Sequence, residues 1–209
     1  MNYKGVIMLP LNEQEKERLK KQMDFIIEID KLKSIIRQNF IADGSRKESD
    51  TDHSWHLAMM CFILDEYANE DIDALKTMKM VLIHDIVEID AGDTYAYDVE
   101  GNKKKEKKEH LAAERIFNIL PEDQARKMRS LWNEFEEGKT AEAKFANTLD
   151  KVQPAILNDI SGGKSWREHK VKSSQILKRN EFTGEGSKVL WGYTKEILEK
   201  NIANGNIKE

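Results

Sequence analysis

Residues 82–93 read LIHDIVEIDAGD. Met78, Val81, Leu82, Ile83, Ile86, Val87 and Ile89 surround this stretch on nearly every side of a helix, the pattern of a buried element. Yet His84, Asp85 and Glu88 lie inside it. Isolated charges are not tolerated in such surroundings, so these three need a cation, a network or a bound metal. On an α-helix His84 and Glu88, four apart, share a face, and Asp85 lies about 100° around from His84. Two side chains so placed can lean onto one ion at the helix surface.

Two further residues join them. His53 stands one turn before the apolar stripe Leu57, Met60, Leu64, so the helix that buries the stripe also turns His53 inward, with His56 at the stripe's edge. Asp150, in AKFANTLDKVQP, borders the stripe Phe145, Leu149, Val152, Ile156. Pro154 removes a backbone hydrogen bond there and can kink the helix beside the carboxylate. Two imidazoles and two carboxylates from three helices would make an N2O2 set. That set suits Mn, Fe, Co, Ni or Zn better than Ca or Mg. Four protein ligands on an ion that accepts six leave room for water and substrate, and such an ion makes water a nucleophile at neutral pH. The competing interpretation is a purely structural helical protein, in which His53 is a hydrogen-bonded core histidine and His53→Ala acts only through packing.

The elements that must position these residues are helices. Three prolines and eleven glycines in 209 residues, against many Lys, Glu, Leu, Ala, Met and Ile, predict an all-α chain. The length fits a single domain over 1–209, with a core at about 25–160 and C-terminal helices over 161–205 packed on it. Apolar spacing predicts helices over about 12–40, 50–69, 72–90, 106–119, 122–137, 140–160, 164–180 and 185–203. Pro121 starts one helix and Gly138 ends it. Residues 41–49 read as a loop. A second loop over 91–104 ends in the charge run KKKEKK, read as a solvated helix start. The leader MNYKGVIM reads as loose and the tail NGNIKE as frayed. A net charge of −4 argues against a broad nucleic-acid surface. The single cysteine, Cys61, has no internal disulfide partner and reads as a buried thiol, which fits a reducing cytoplasm. No run of 18 apolar residues points to a membrane.

In combination, His53, His84-Asp85 and Asp150 resemble the HD-domain superfamily of metal-dependent phosphohydrolases. HDIVEIDAGD resembles the segment H-D-x-x-E-x-x-x-G-D of its 5'-deoxynucleotidase branch. RKESDTDHSWHLA resembles the stretch before that branch's first ligand, and LPEDQARKMRSLWNEFEEGKTAEAKFANTLDKVQ the stretch around its last. The likeness covers about residues 25–160. It implies a compact helical HD fold and one divalent metal ion (Mn, Co, Fe, Ni or Zn) on His53, His84, Asp85 and Asp150. It implies roles for Glu88 and Asp93 near the attacking water, and an arginine on the first long helix, here Arg37, that orients the phosphate. Such a fork binds phosphate oxygens in pairs. The loop after Asp93, which opens with Thr94, touches the sugar in that family. The implied reaction is hydrolysis of a (deoxy)nucleoside 5'-monophosphate, a small-molecule substrate, to nucleoside and phosphate.

The chain departs from the pattern at two places. Gln38, Asn39 and Phe40 follow the arginine where close relatives carry Trp, and Asp50 stands where Val is expected. Glu88 could instead hold one of the histidines. Two-metal HD enzymes need extra histidines between the His-Asp pair and the last Asp, and only His110 lies there, which favours a single ion. His169, beyond Asp150, reads as surface. The alternatives are a nucleotide-binding regulator without turnover, or a phosphohydrolase acting on another small phosphorylated metabolite. Members of the family often pair as homodimers, and the helix with Trp132 and Phe135 could supply a patch.

Overall fold

The computed structural model describes residues 11–97 and 99–209; the leader MNYKGVIM lies outside them. The chain opens with α1 (Glu13–Ile29), started by a capping box in which Asn12 and Glu15 satisfy each other's backbone N–H. A 3-10 turn (Asp30–Ser34) ends the helix. The helix expected to run to residue 40 therefore stops early. The β-branched Ile35 and Ile36 lead instead into strand β1 (Ile36–Phe40), which pairs antiparallel with β2 (Lys47–Ser49), Ile36 opposite Ser49 and Phe40 opposite Lys47. The turn between them is closed by Gly44, whose φ of 68° suits glycine. Apart from this two-stranded ribbon the described chain is helical, as expected. Arg37, however, sits on a strand and not on a helix.

Ser49 caps α2 (Asp50–Leu64), and Asp73 caps α3 (Ala74–Ile83). The single helix expected over 72–90 is broken. Residues His84–Val87 form a 3-10 turn, α4 is only Glu88–Ala91, and Gly92 ends it at φ 76°. Then come α5 (Val99–Phe117), α6 (Glu122–Glu137) and α7 (Ala141–Ile160). Pro121 and Gly138 flank α6 as anticipated. The C-terminal pair of long helices is in fact four pieces: α8 (Lys164–Glu168), α9 (Ser173–Arg179), α10 (Thr183–Gly186) and α11 (Lys188–Ala203). Ser187, extended at φ −154°, separates the last two. The tail does not fray: Ile207 is buried, and Lys208 bonds to Val171 and Ser173.

Phe25, Ile86, Val87, Ile116, Phe117 and Trp132 form one core between α1, α5, α6 and the 3-10 turn. Leu57, Met80, Val81, Phe145, Leu149 and Val152 form a second between α2, α3 and α7. The His84–Val87 turn is clamped between the two. A third cluster, with Trp166, Ile176, Ile197 and Ile207, packs the C-terminal elements onto Ala155 of α7. Trp132 and Phe135 are core residues, 1% and 6% exposed, so they form no surface patch. The outward apolar residues of α2 are Trp55, Met59, Phe62 and Ile63. Cys61 is buried and free, and burial pushes its thiol up to about 11. Among the described residues no helix is long and apolar enough to cross a membrane.

Candidate metal centre

Three elements deliver the ligand atoms. The first turn of α2 buries His53 completely, the 3-10 turn delivers His84 and Asp85, and α7 delivers Asp150. His53 Nε2 lies 3.1 Å from Asp150 Oδ1 and 3.9 Å from Asp85 Oδ2. His84 Nε2 lies 3.1 Å from Asp85 Oδ2 and 3.7 Å from Asp150 Oδ1. Bonds of about 2.0–2.1 Å to a common ion place neighbouring ligand atoms roughly 3.0–3.4 Å apart; the two 3.1 Å separations fall in that range, and the 3.7 and 3.9 Å ones exceed it.

The far side of each imidazole is already committed. His84 Nδ1 donates to the Val81 carbonyl at 2.9 Å, and His53 Nδ1 donates to Gln153 Oε1 at 3.1 Å. Each ring is thereby held with its Nε2 lone pair toward the carboxylates. His84 Nε2 is buried without a well-directed hydrogen bond, an unusual state for a polar atom. These residues fit a divalent ion. Electrostatics say the same. Burial opposes a charge on His84, yet Asp85 and Asp150 overcome it and push the ring up to about 10. Burial, with the Arg37 charge behind it, pulls His53 down to about 4. Burial also opposes ionisation of Asp150, but the two histidines hold it well below the usual carboxylate range.

The break at residues 84–87 changes which groups meet. In a 3-10 turn residues three apart eclipse, so Asp85 and Glu88 share a face, in place of His84 and Glu88. Accordingly His53, His84 and Asp150 form one group of converging donors, and Asp50, Asp85 and Glu88 form another. Glu88 holds neither histidine; Val81 and Gln153 do that. Burial first, then Asp85 and Asp50, raise Glu88 well above the ordinary glutamate value. Burial likewise raises Asp50 to about 7.

Arg37, from β1, reaches the same cavity. Its Nη1 lies 2.6 Å from Asp85 Oδ2 and 3.2 Å from Asp50 Oδ1, and its Nε lies 3.9 Å from Glu48. Asp93 and Thr94 also line the cavity, which encloses about 1020 Å³ counting its open mouth. Burial raises Asp93, and Arg37 works against that rise. Arg37, His84, Asp85, Glu88, Asp93, Thr94 and Asp150 thus line one cavity, and His53, fully buried, reaches its ligand end with Nε2 3.1 Å from Asp150. His110 and His169 are exposed, and His169 packs against Tyr95 at the cavity wall.

Sequence reasoning missed several neighbours. Glu48, on β2, is 1% exposed and takes a 2.5 Å hydrogen bond from Gln153, itself fully buried. Lys105, inside the charge run read as solvated, lies 3.7 Å from Glu88 and 3.2 Å from Glu109. Glu136 lines the cavity while remaining exposed. Only Lys105 left a sequence signal: Glu109 follows it by four, the spacing of a helical ion pair.

Fold and site together define a helical protein with a candidate metal centre, and the comparisons show its family. The HD domain family model matches residues 29–191, so the chain belongs to the HD domain family. Among curated relatives, 5'-deoxynucleotidase HDDC2 of Homo sapiens is 30% identical over 133 residues, 63% of each chain. That of Dictyostelium discoideum is 35% identical over 129 residues, 59% of this chain and 68% of the other. The chain spans about 63% of the length of the first of these relatives. A solved "predicted metal-dependent phosphohydrolase" from Magnetospirillum magnetotacticum MS-1 is 42% identical, with a TM-score of 0.90 over 96% of this chain and 100% of the other. A conserved hypothetical protein from Pyrococcus furiosus, 24% identical at a TM-score of 0.59, shares the fold.

Proposed function

We propose that this chain is a divalent-metal-dependent phosphohydrolase that converts (deoxy)nucleoside 5'-monophosphates to nucleoside and phosphate. The observation that carries this reading is the convergence of His53 Nε2, His84 Nε2 and Asp150 Oδ1, with both tautomers fixed from behind, beside a buried arginine. The names of the curated relatives and of the solved neighbour support it. His53, His84, Asp85 and Asp150 would hold one ion of Mn, Co, Fe, Ni or Zn. When bound, that ion supplies Lewis acidity to the phosphate and lowers the pKa of a water.

The chain's own residues supply the rest. Arg37 is fixed by three carboxylates and presents its remaining donors to the phosphoryl oxygens, where charge develops as water attacks phosphorus. Asp93, made more basic by burial, accepts the proton of the attacking water. Glu88 orients that water and is itself held by Lys105. Thr94 opens the loop that faces the sugar. The water oxygen bonds to phosphorus as the P–O5' bond breaks, and the leaving O5' takes up the proton that Asp93 accepted. We treat residues 1–209 as one domain working in the cytoplasm. A homodimer would have to use surface other than Trp132 and Phe135, both buried.

The test is phosphate release from ribo- and deoxyribonucleoside monophosphates by metal-stripped protein, with each metal restored in turn. Metal-dependent release with at least one substrate group supports the reading, and Asp93→Ala should abolish most of it. Release from no nucleotide with any metal, despite a tightly bound ion, would remove the reading in favour of a nucleotide-binding regulator or another phosphorylated substrate.

A further inference from the structure

The cavity wall carries two more cations, Lys151 on α7 and Arg179 on α9. They differ from the other two in what surrounds them. Arg37 has carboxylate oxygens at 2.6 and 3.2 Å, and Lys105 has one at 3.2 Å. The nearest carboxylate oxygen to Arg179 is Asp150 Oδ2, at 3.9 Å, beyond hydrogen-bond range. Burial pulls Lys151 down, Asp150 and Glu185 work against that and the Arg179 charge adds to it, and Lys151 has no carboxylate ion pair within 4.0 Å among the described residues. Asp150 turns Oδ1 to the histidines and Oδ2 to Arg179. Arg179 thus stands just across that carboxylate from the candidate metal position.

Its placement is built. Asn180, 4% exposed, donates to the Ile176 carbonyl at 2.9 Å and accepts from Thr183 Oγ1 at 3.2 Å, which locks the end of α9. Ile176 is buried beneath it in the third core cluster. A simpler account is that Arg179 answers the dipole of the helix C-terminus. Lys178 shares that last turn, yet it is exposed and does not line the cavity. The dipole explains a cation in the turn; it does not explain a guanidinium turned inward beside Lys151.

We propose that Lys151 and Arg179 form an oxyanion subsite that holds a phosphate group of the substrate beside the metal ligands. Five guanidinium donors and an ammonium in a partly desolvated wall match such a group. This rests on the phosphohydrolase reading. The phosphate could be the one that reacts, or a second one on the same substrate.

The experiment uses the metal-loaded full chain and its Arg179→Ala, Arg179→Lys, Lys151→Met and Lys178→Ala variants. Binding of inorganic phosphate is measured by calorimetry. KM and kcat are measured with a nucleoside 5'-monophosphate and with the matching 3',5'-bisphosphate. Arg179→Ala should weaken phosphate binding and raise KM about tenfold, with a much smaller change in kcat. Arg179→Lys should keep part of the affinity, added guanidinium should restore part of it to Arg179→Ala, and Lys178→Ala should match wild type. A KM rise with both substrates assigns the subsite to the reacting phosphate. A rise with the bisphosphate alone assigns it to a second one. Phosphate binding and KM values within twofold of wild type in both Arg179→Ala and Lys151→Met would overturn the subsite. Phosphate binding that weakens in those variants, in a protein that hydrolyses no nucleotide, would keep the subsite and discard the phosphohydrolase reading.

Discussion

Gln153 tests how the histidines are held. It is fully buried; Oε1 accepts from His53 Nδ1 at 3.1 Å, and Nε2 donates to Glu48 at 2.5 Å. Gln153→Leu keeps the volume and strips three partners: buried His53 and Glu48, and the half-buried His56, whose Nδ1 lies 3.2 Å from Nε2. A buried polar group left unpaired costs about 1–3 kcal/mol. Two such groups, offset in part by the added apolar burial, should cost roughly 2–4 kcal/mol. In a chain of this size that lowers Tm by on the order of 10 °C. The metal effect is separate. Without its partner the His53 ring can take the other tautomer, and loss of such support weakens metal binding about 10–100-fold. The assay is competition for Zn or Mn against a chromophoric chelator, beside a thermal melt. Gln153→Glu should part the two effects. Its carboxylate still accepts from His53, so metal affinity is largely kept, while repulsion from Glu48 lowers stability. Metal affinity within twofold of wild type in Gln153→Leu, with Tm lowered as expected, would refute the tautomer argument and leave only the packing one.

Other outcomes follow from the same geometry. In the metal-free protein His84 titrates at about 10, above its unfolded value, so its contribution to stability is fully present below about 6.5 and is lost as pH rises through 10. Metal binding at pH 8 should therefore expel about one proton, read as a dependence of calorimetric enthalpy on the ionisation enthalpy of the buffer; no such dependence would mean His84 is already neutral. Lys105→Met removes a cation that works against the rise of both Asp93 and Glu88, so the acid limb of the pH–rate profile should move to higher pH, and an unmoved limb would separate both carboxylates from that limb. Gly186→Ala should lower Tm by several degrees with metal affinity intact, because a Cβ there collides with the Lys144 carbonyl and Thr148 Oγ1 where α10 meets α7; an unchanged melt would show that this contact relaxes freely.

Much of the site was legible because buried charge is conspicuous. His84, Asp85 and Glu88 stand out in an apolar run, and His53 falls in register with Leu57 and Met60, so each was placed by local pattern alone. What periodicity could not give was the 3-10 break at His84. The apolar residues continue through it, and only the packed structure shows that Glu88 joins Asp50 and Asp85 and not His84. Arg37 was assigned to a helix because Ile35 and Ile36 extend a helical spacing. The ribbon that carries it depends on pairing with Lys47–Ser49, a contact that α1 and its sequence do not announce. Glu48, Lys105, Gln153 and Arg179 were hidden for a common reason. None of the four breaks an apolar run as a charge the way His84 does, and what makes each matter is a partner or cavity supplied by elements distant in the chain.

The most direct test of the central claim is a crystal of Mn-loaded protein with anomalous diffraction at the manganese edge. The account predicts one strong peak bounded by His53 Nε2, His84 Nε2, Asp85 and Asp150, lost in His84→Ala. No peak there, or a peak held by Asp50 and Glu88 in its place, would contradict it.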